Sequence, residues 1–291
     1  LLMAAAHQKK YKDSVILFYD SEFGTPPEYF KSFGIDMDRV IHTPITDVEQ
    51  LKFDITNQLN DLDKKDNVCI VIDSIGNLAS KKEVDDALDG KSVADMSRAK
   101  QMKSLFRIVT PHLNLKDIPL ICVNHTYKEI GMFPKDIVSG GTGAYYSADA
   151  IWIIGRRQEK EGTEIKGYHF VVNIEKSRHV REKSQIPITV TFDGGIMKWS
   201  GLLEVAEKAG YVHKPKVGWY EALNPETGEV LSDKMMRAKE IVDNKDFWLM
   251  MFEKTSLAKH IEKMYTIASS AGLISDDSQI EIADEEIVAN D

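Results

Sequence analysis

The sequence predicts an α/β protein: a mostly parallel sheet flanked by helices, an antiparallel extension, and a small C-terminal α/β segment. Three observations predict it. First, Val15–Tyr19 and Val68–Ile72 are uninterrupted apolar or aromatic runs, as expected of strands buried on both faces. Each ends in acids and hydroxyls: Asp20, Ser21 and Glu22 after the first, Asp73 and Ser74 after the second. Second, residues 47–61 carry Leu51, Ile55 and Leu59 on one helical stripe between those runs, so strand and helix alternate. Third, strand-like stretches after residue 148 follow one another without long helices, which indicates antiparallel pairing.

Taken in order, residues 1–11 are a predicted helix and 15–19 a strand. Residues 26–33 are a helix opened by Pro26 and Pro27, which suit a first turn. A short strand at 39–42 precedes the helix at 47–61 and the central strand at 68–72. The pattern predicts a long helix over 93–112, with Met96, Ala99, Met102 and Phe106 on one face, and a buried strand over 118–123. Strands follow at 149–155, 168–175 and 186–193, then a short helix between Gly201 and Gly210. A mixed segment over 213–265 carries helices near 234–242 and 246–265. The expected domains are a core over 1–200, a small domain over 201–270 and an acidic tail over 271–291. Two stretches resist assignment: polar residues 80–92 and glycine-rich residues 127–144. Both follow strand C-termini, so both are expected as loops on the ligand side of the sheet.

The composition, 43% hydrophobic and 29% charged, allows a large core, and no apolar run approaches the roughly 20 residues of a membrane span. No signal peptide opens the chain. The opening Leu1–Lys10 reads as mid-helix without an N-cap, so an N-terminal truncation is expected. Cys69 and Cys122 both fall in expected buried strands and read as reduced core residues. The net charge of −9 argues against a uniformly basic surface. Seven acids and no base lie in residues 275–291, so the rest of the chain carries only −2. Residues 156–183 lean the other way, with eight Lys and Arg against five acids.

Two acidic strand ends in one sheet suit nucleotide hydrolysis, with one carboxylate on magnesium and the other orienting a water. Asp73 is the candidate for the metal and Glu22 for the water, although either acid could instead cap a turn. No G-x-x-x-x-G-K-[ST] occurs. Gly90-Lys91-Ser92 is a decoy, because Asp85 stands where that loop needs glycine. His125 ends the strand at 118–123, either as a simple strand cap or as a γ-phosphate sensor ahead of the glycines. Lys176 and Arg178 flank Ser177, which puts both on one face, either solvated or facing phosphates of a neighbouring subunit.

In order, Tyr-Asp-Ser-Glu, Val-Ile-Asp-Ser, Asn-His, Gly-Gly-Thr-Gly and Glu-Lys-Ser-Arg resemble the core of the RecA-type recombinases. The resemblance spans roughly residues 1–265. It implies a RecA-like ATPase core that uses ATP and Mg2+ and coats single-stranded DNA as a homo-oligomeric helical filament. Homologous pairing with double-stranded DNA follows, with loader and single-strand-binding proteins as further partners. Carried over by position, Glu22 activates water, Asp73 with Ser74 serves magnesium and ATP, and Tyr29 stacks on adenine. His125 stands where bacterial members carry a glutamine switch, a difference shared with the phage branch. Lys176 and Arg178 match the pair that reaches ATP across the filament interface. The stretch 80–92, with Lys81, Lys82, Lys91 and nearby Arg98, matches one DNA-binding loop. The stretch 127–144, with Lys128, Lys135, Gly140, Gly141 and Gly143, matches the other. The phosphate loop is expected just upstream of Leu1, and the expected location is bacterial cytoplasm. A helicase-type or clock-type ATPase of the same fold, and a non-hydrolysing paralogue that binds DNA or a recombinase, are the alternatives.

Overall fold

The computed structural model describes residues 1–91, 97–129, 136–139, 142–161 and 163–267. Two compact units divide it, Leu1–Ala148 and Asp149–Asp291.

The first unit is built on a parallel sheet of β1 (Val15–Asp20), β2 (Val40–Pro44), β3 (Val68–Asp73) and β4 (Leu120–Cys122), in the order β2-β1-β3-β4. β1 and β3 are central, which explains their unbroken apolar runs. Their side chains alternate between two cores. Leu17, Tyr19, Ile70 and Ile72 pack under α3 (Val48–Asp61) and α5 (Ser97–Lys116), against Leu51, Ile55, Leu59, Met102 and Leu105. Ile16, Phe18, Cys69 and Val71 pack on the opposite face with Ala4 of α1 (Leu2–Lys10) and Phe30 of α2 (Pro27–Ser32). Asp47 caps α3 by accepting from the Gln50 amide.

Several expectations change. The stretch 80–92 is not a bare loop, because α4 (Lys81–Leu88) occupies most of it. Its start was written in the sequence as Ser80-x-x-Glu83, and the Ser80 hydroxyl accepts from the Glu83 amide at 3.1 Å. The buried stripe of α5 is Met102, Leu105, Phe106 and Val109, whereas Ala99 is exposed. Met96 lies outside the described residues. β4 is shorter than expected and only half-buried, so Cys122 is less enclosed than Cys69, and both thiols are free. In the stretch 127–144, β5 (Thr126–Lys128) and β6 (Asp136–Val138) pair antiparallel, and α6 (Thr142–Ser147) follows.

In the second unit, β7 (Ala150–Glu161), β8 (Glu164–Ser177), β9 (Gln185–Thr191) and β10 (Gly195–Ile196) form an antiparallel sheet of their own. Gly167 lets β9 approach, since a β-carbon there would lie 2.1 Å from the Val190 carbonyl oxygen. A separate core gathers Leu203 and Ala206 of α7 (Leu202–Lys208) with Val212 and Tyr220 of the hairpin β11 (Val212–Lys216) and β12 (Trp219–Ala222). Ile241 of α8 (Ala238–Ile241) and Trp248 and Met251 of α9 (Lys245–Lys254) complete it, with Leu257 of α10 (Leu257–Tyr265). The expected helix over 246–265 is therefore two helices. The break falls at Thr255, whose hydroxyl accepts from the Leu257 amide. Among the described residues no helix is long and apolar enough to cross a membrane.

Candidate functional site

β1 and β3 run side by side in a register that sets Asp20 against Asp73. The two chains stay joined beyond the sheet. The Ser21 amide donates to the Asp73 carbonyl at 2.9 Å. The Ser21 hydroxyl donates to the Ser74 carbonyl at 2.6 Å and accepts from the Ser74 amide at 2.9 Å. The Asp73–Ser74 peptide is cis.

This junction brings Glu22 and Ser74 together. Glu22 Oε1 accepts from the Ser74 hydroxyl at 2.6 Å and from Asn77 Nδ2 at 2.7 Å. His125 Nε2 lies 3.6 Å from the same oxygen and 3.5 Å from Ser74 Oγ. The Ser74 hydrogen bond, against some burial and helped by Asn77 and His125, holds the Glu22 carboxyl below its ordinary range. Asp73 moves the other way: burial first, then the charges of Asp20 and Glu22, push its carboxyl up. Carboxylates driven apart in this way are a mark of functional sites.

Asp20 was passed over in the sequence, yet it organises the turn that carries Glu22. Its side chain is 2% exposed. Oδ1 accepts from the Glu22 amide at 3.0 Å and the Phe23 amide at 2.8 Å. Oδ2 accepts from the Thr25 hydroxyl at 2.9 Å and from His42 Nε2 at 3.0 Å. Burial opposes ionisation of Asp20, but the donors, led by His42 and Thr25, hold its carboxyl low. Asn77 and Gly76 were also missed. A β-carbon on Gly76 would fall inside the space of the His125 ring. The pairing of β1 with β3 reveals the role of Asn77, and the chain's return from β4 that of Gly76. Phe23, Gly24, Thr25, Pro26, Pro27, His42 and Pro44 line an open depression beside this turn.

The remaining expected residues are placed as follows. Tyr29 is half-exposed on α2, edge-to-face with Phe33 at 5.1 Å. Arg98 binds the segment after β3, donating to the carbonyls of Leu78 at 2.6 Å, Ile75 at 2.9 Å and Gly76 at 2.7 Å. Three lysines meet acids: Lys82 with Asp86, Lys91 with Asp89 at 2.8 Å, and Lys128 with Asp136 at 2.8 Å. The Lys81 amide donates to Glu49 Oε2 at 2.9 Å. Gly143 lets α6 approach α5, for a β-carbon there would lie 2.7 Å from Lys103 Cα. Lys135, Gly140, Gly141 and the acidic tail lie outside the described residues. In the second unit Lys176 stands on the rung paired with Ile151. Arg178 there pairs with Asp149 at 3.2 Å.

Among the described residues no group of three or more His, Cys, Asp or Glu side chains could hold a metal ion. A Mg2+ ion would take only one or two carboxylates and complete its shell with water and phosphate oxygens. The raised Asp73 carboxyl, crowded by two acids, is the group a cation would relieve.

Parallel strands that gather acids and a histidine at their C-terminal ends define an open-sheet α/β protein, a class whose ligands sit at that edge of the sheet. The RecA N-terminal domain family matches residues 1–197. The family described as the C-terminal domain of the bacteriophage T4 recombination and repair protein matches residues 199–261. The chain belongs to the RecA family of recombination proteins. It is 50% identical over 272 residues to the recombination and repair protein of Enterobacteria phage T4, covering 92% of this chain and 69% of that protein. It is 26% identical over 283 residues to protein RecA of Streptomyces coelicolor, covering 96% and 70% respectively.

Proposed function

We propose that this chain provides the ATP-handling acids and the DNA-binding surface of a strand-exchange recombinase that assembles as a helical filament on single-stranded DNA. The observation that carries the reading is the Glu22 carboxylate, tied to Ser74 and Asn77 beside Asp73 at the ends of adjacent strands.

In this reading Glu22, kept ionised, takes the proton of a water aimed at the γ-phosphate. Asp73 holds Mg2+, which when bound neutralises phosphate charge. His125, within 3.6 Å of Glu22, links the acid to the hairpin of β5 and β6 and so to the DNA side. Tyr29 faces adenine, and Lys176 and Arg178 serve the ATP of a neighbouring copy. Lys81, Lys82, Lys91, Arg98, Lys128 and Lys135 track the DNA backbone, with Gly140, Gly141 and Gly143 in the second loop. Loader and single-strand-binding proteins govern access to DNA. No G-x-x-x-x-G-K-[ST] occurs in the 291 residues, so the phosphate-holding groups of this reading are not among them.

The test fuses a phosphate-loop strand ahead of Leu1 and measures phosphate release stimulated by single-stranded DNA. Glu22→Gln is expected to lower that rate by about 10²–10⁴-fold while DNA binding persists. Equal rates remove Glu22 from the role, and failure of both forms to bind an oligonucleotide removes the recombinase reading.

A further inference from the structure

We propose that His42 is a positioning residue for Glu22, acting through the buried carboxylate of Asp20. The inference rests on Glu22 being the water-orienting acid. A carboxylate offers about four lone-pair sites. Those of Asp20 meet the amides of Glu22 and Phe23, the hydroxyl of Thr25 and the imidazole of His42. Three of these donors belong to the turn after β1. Only His42 comes from another strand, so it is the member of this set that fixes Asp20 to the sheet rather than to the turn itself.

The turn has reason to need fixing. Phe23 has φ 53°, in the left-handed region that side chains larger than glycine rarely adopt, and its ring is exposed. Packing of the Phe23 side chain therefore does little to hold that conformation, whereas the Asp20 carboxylate accepts from two successive backbone amides, those of Glu22 and Phe23. His42 is itself well held. Its ring meets Phe18 edge-on at 5.5 Å and Phe30 at 5.7 Å, and β1–β2 pairing sets Phe18 against His42. A continuous path then runs from the buried aromatic core through the imidazole and the Asp20 carboxylate to the backbone of Glu22. At its far end Glu22 is tied by Ser74 and Asn77, so the acid is gripped both at its backbone and at its carboxylate. Support of this kind holds a reacting group in the narrow range of positions that catalysis needs. For the path to work, Nε2 of His42 must carry the proton and donate it.

The test is nuclear magnetic resonance on the 291-residue chain without nucleotide, so its outcome is independent of whether the protein hydrolyses ATP. In the unmodified chain the Nε2 proton of His42 is expected as a slowly exchanging signal, and the Glu22 and Phe23 amides as protected. His42→Phe keeps an aromatic ring against Phe18 and Phe30 but removes the donor. Exchange at Glu22 and Phe23 should become about tenfold faster relative to the Leu17 amide, and the Glu22 carboxyl should titrate closer to its ordinary range. His42→Gln returns a side-chain N–H and should restore both. A general loss of packing or stability would speed exchange at Leu17 as well and would not be repaired by glutamine. The proposal is overturned if the unmodified chain lacks the Nε2 proton signal or the amide protection. It is also overturned if His42→Phe leaves both readouts unchanged, or if glutamine behaves as phenylalanine does.

Discussion

Gly76 and His125 stand so close that a β-carbon on the glycine would lie 2.1 Å from His125 Cδ2. Gly76→Ala must therefore displace the imidazole, a side chain that is half-exposed and free to move outward. Global stability should change by less than about 1 kcal/mol, because the clash falls on a half-exposed side chain and not on backbone. The site should change more. His125 helps to hold the Glu22 carboxyl low, so its titration, followed by carbon-detected resonance, should move upward in this variant.

Asp73→Asn should stabilise the chain at neutral pH in the absence of Mg2+. The Asp73 carboxyl is raised in the folded state by burial and by Asp20 and Glu22. Its ionisation therefore opposes folding, a penalty that begins above the ordinary carboxylate range and is complete once pH passes the raised folded value. Melting temperature should rise by a few degrees at pH 7 and should not rise at pH 3. Glu22 has the opposite sign. Its lowered carboxyl adds stability that is present above the ordinary range and is lost as pH falls through the folded value.

Arg98→Met should cost about 2–3 kcal/mol in urea unfolding, since three charge-assisted bonds to the carbonyls of Ile75, Gly76 and Leu78 disappear. The segment they hold carries Asn77, so the Glu22 carboxyl should lose part of its downward shift in the same variant.

On α3, Ile55→Ala should cost about 2–5 kcal/mol, because Ile55 is fully buried under β1 and β3. Phe53→Ala, two residues away on a ring that is 73% exposed, should stay within about 0.5 kcal/mol. Equal losses would mean that the helix packs on a different stripe.

What could be read from the sequence was what depends on burial or on local spacing. β1 and β3 show as unbroken apolar runs because helices cover both faces, and their acidic ends follow. α4 was readable in principle from Ser80-x-x-Glu83, but its polar surface, with no buried residue, hides it from a search for apolar stripes. Asn77 and Gly76 carry no local mark, for their roles depend on Glu22 and His125, tens of residues away. Asp20 was visible as a strand-end acid, yet only the pairing of β1 with β2 shows that it faces His42.

Glu22 and Ser74 are separated by 52 residues, and every bond that ties them crosses the whole β1-β2-α3-β3 passage. During synthesis Glu22 therefore leaves the ribosome long before the partners of its carboxylate, Ser74, Asn77 and His125, exist. Contacts of such separation cost loop-closure entropy and form only when the intervening elements have docked. A half-made chain thus displays the acid without the geometry that tunes it. The tuned geometry of this corner is a product of completed tertiary folding and not of any local segment.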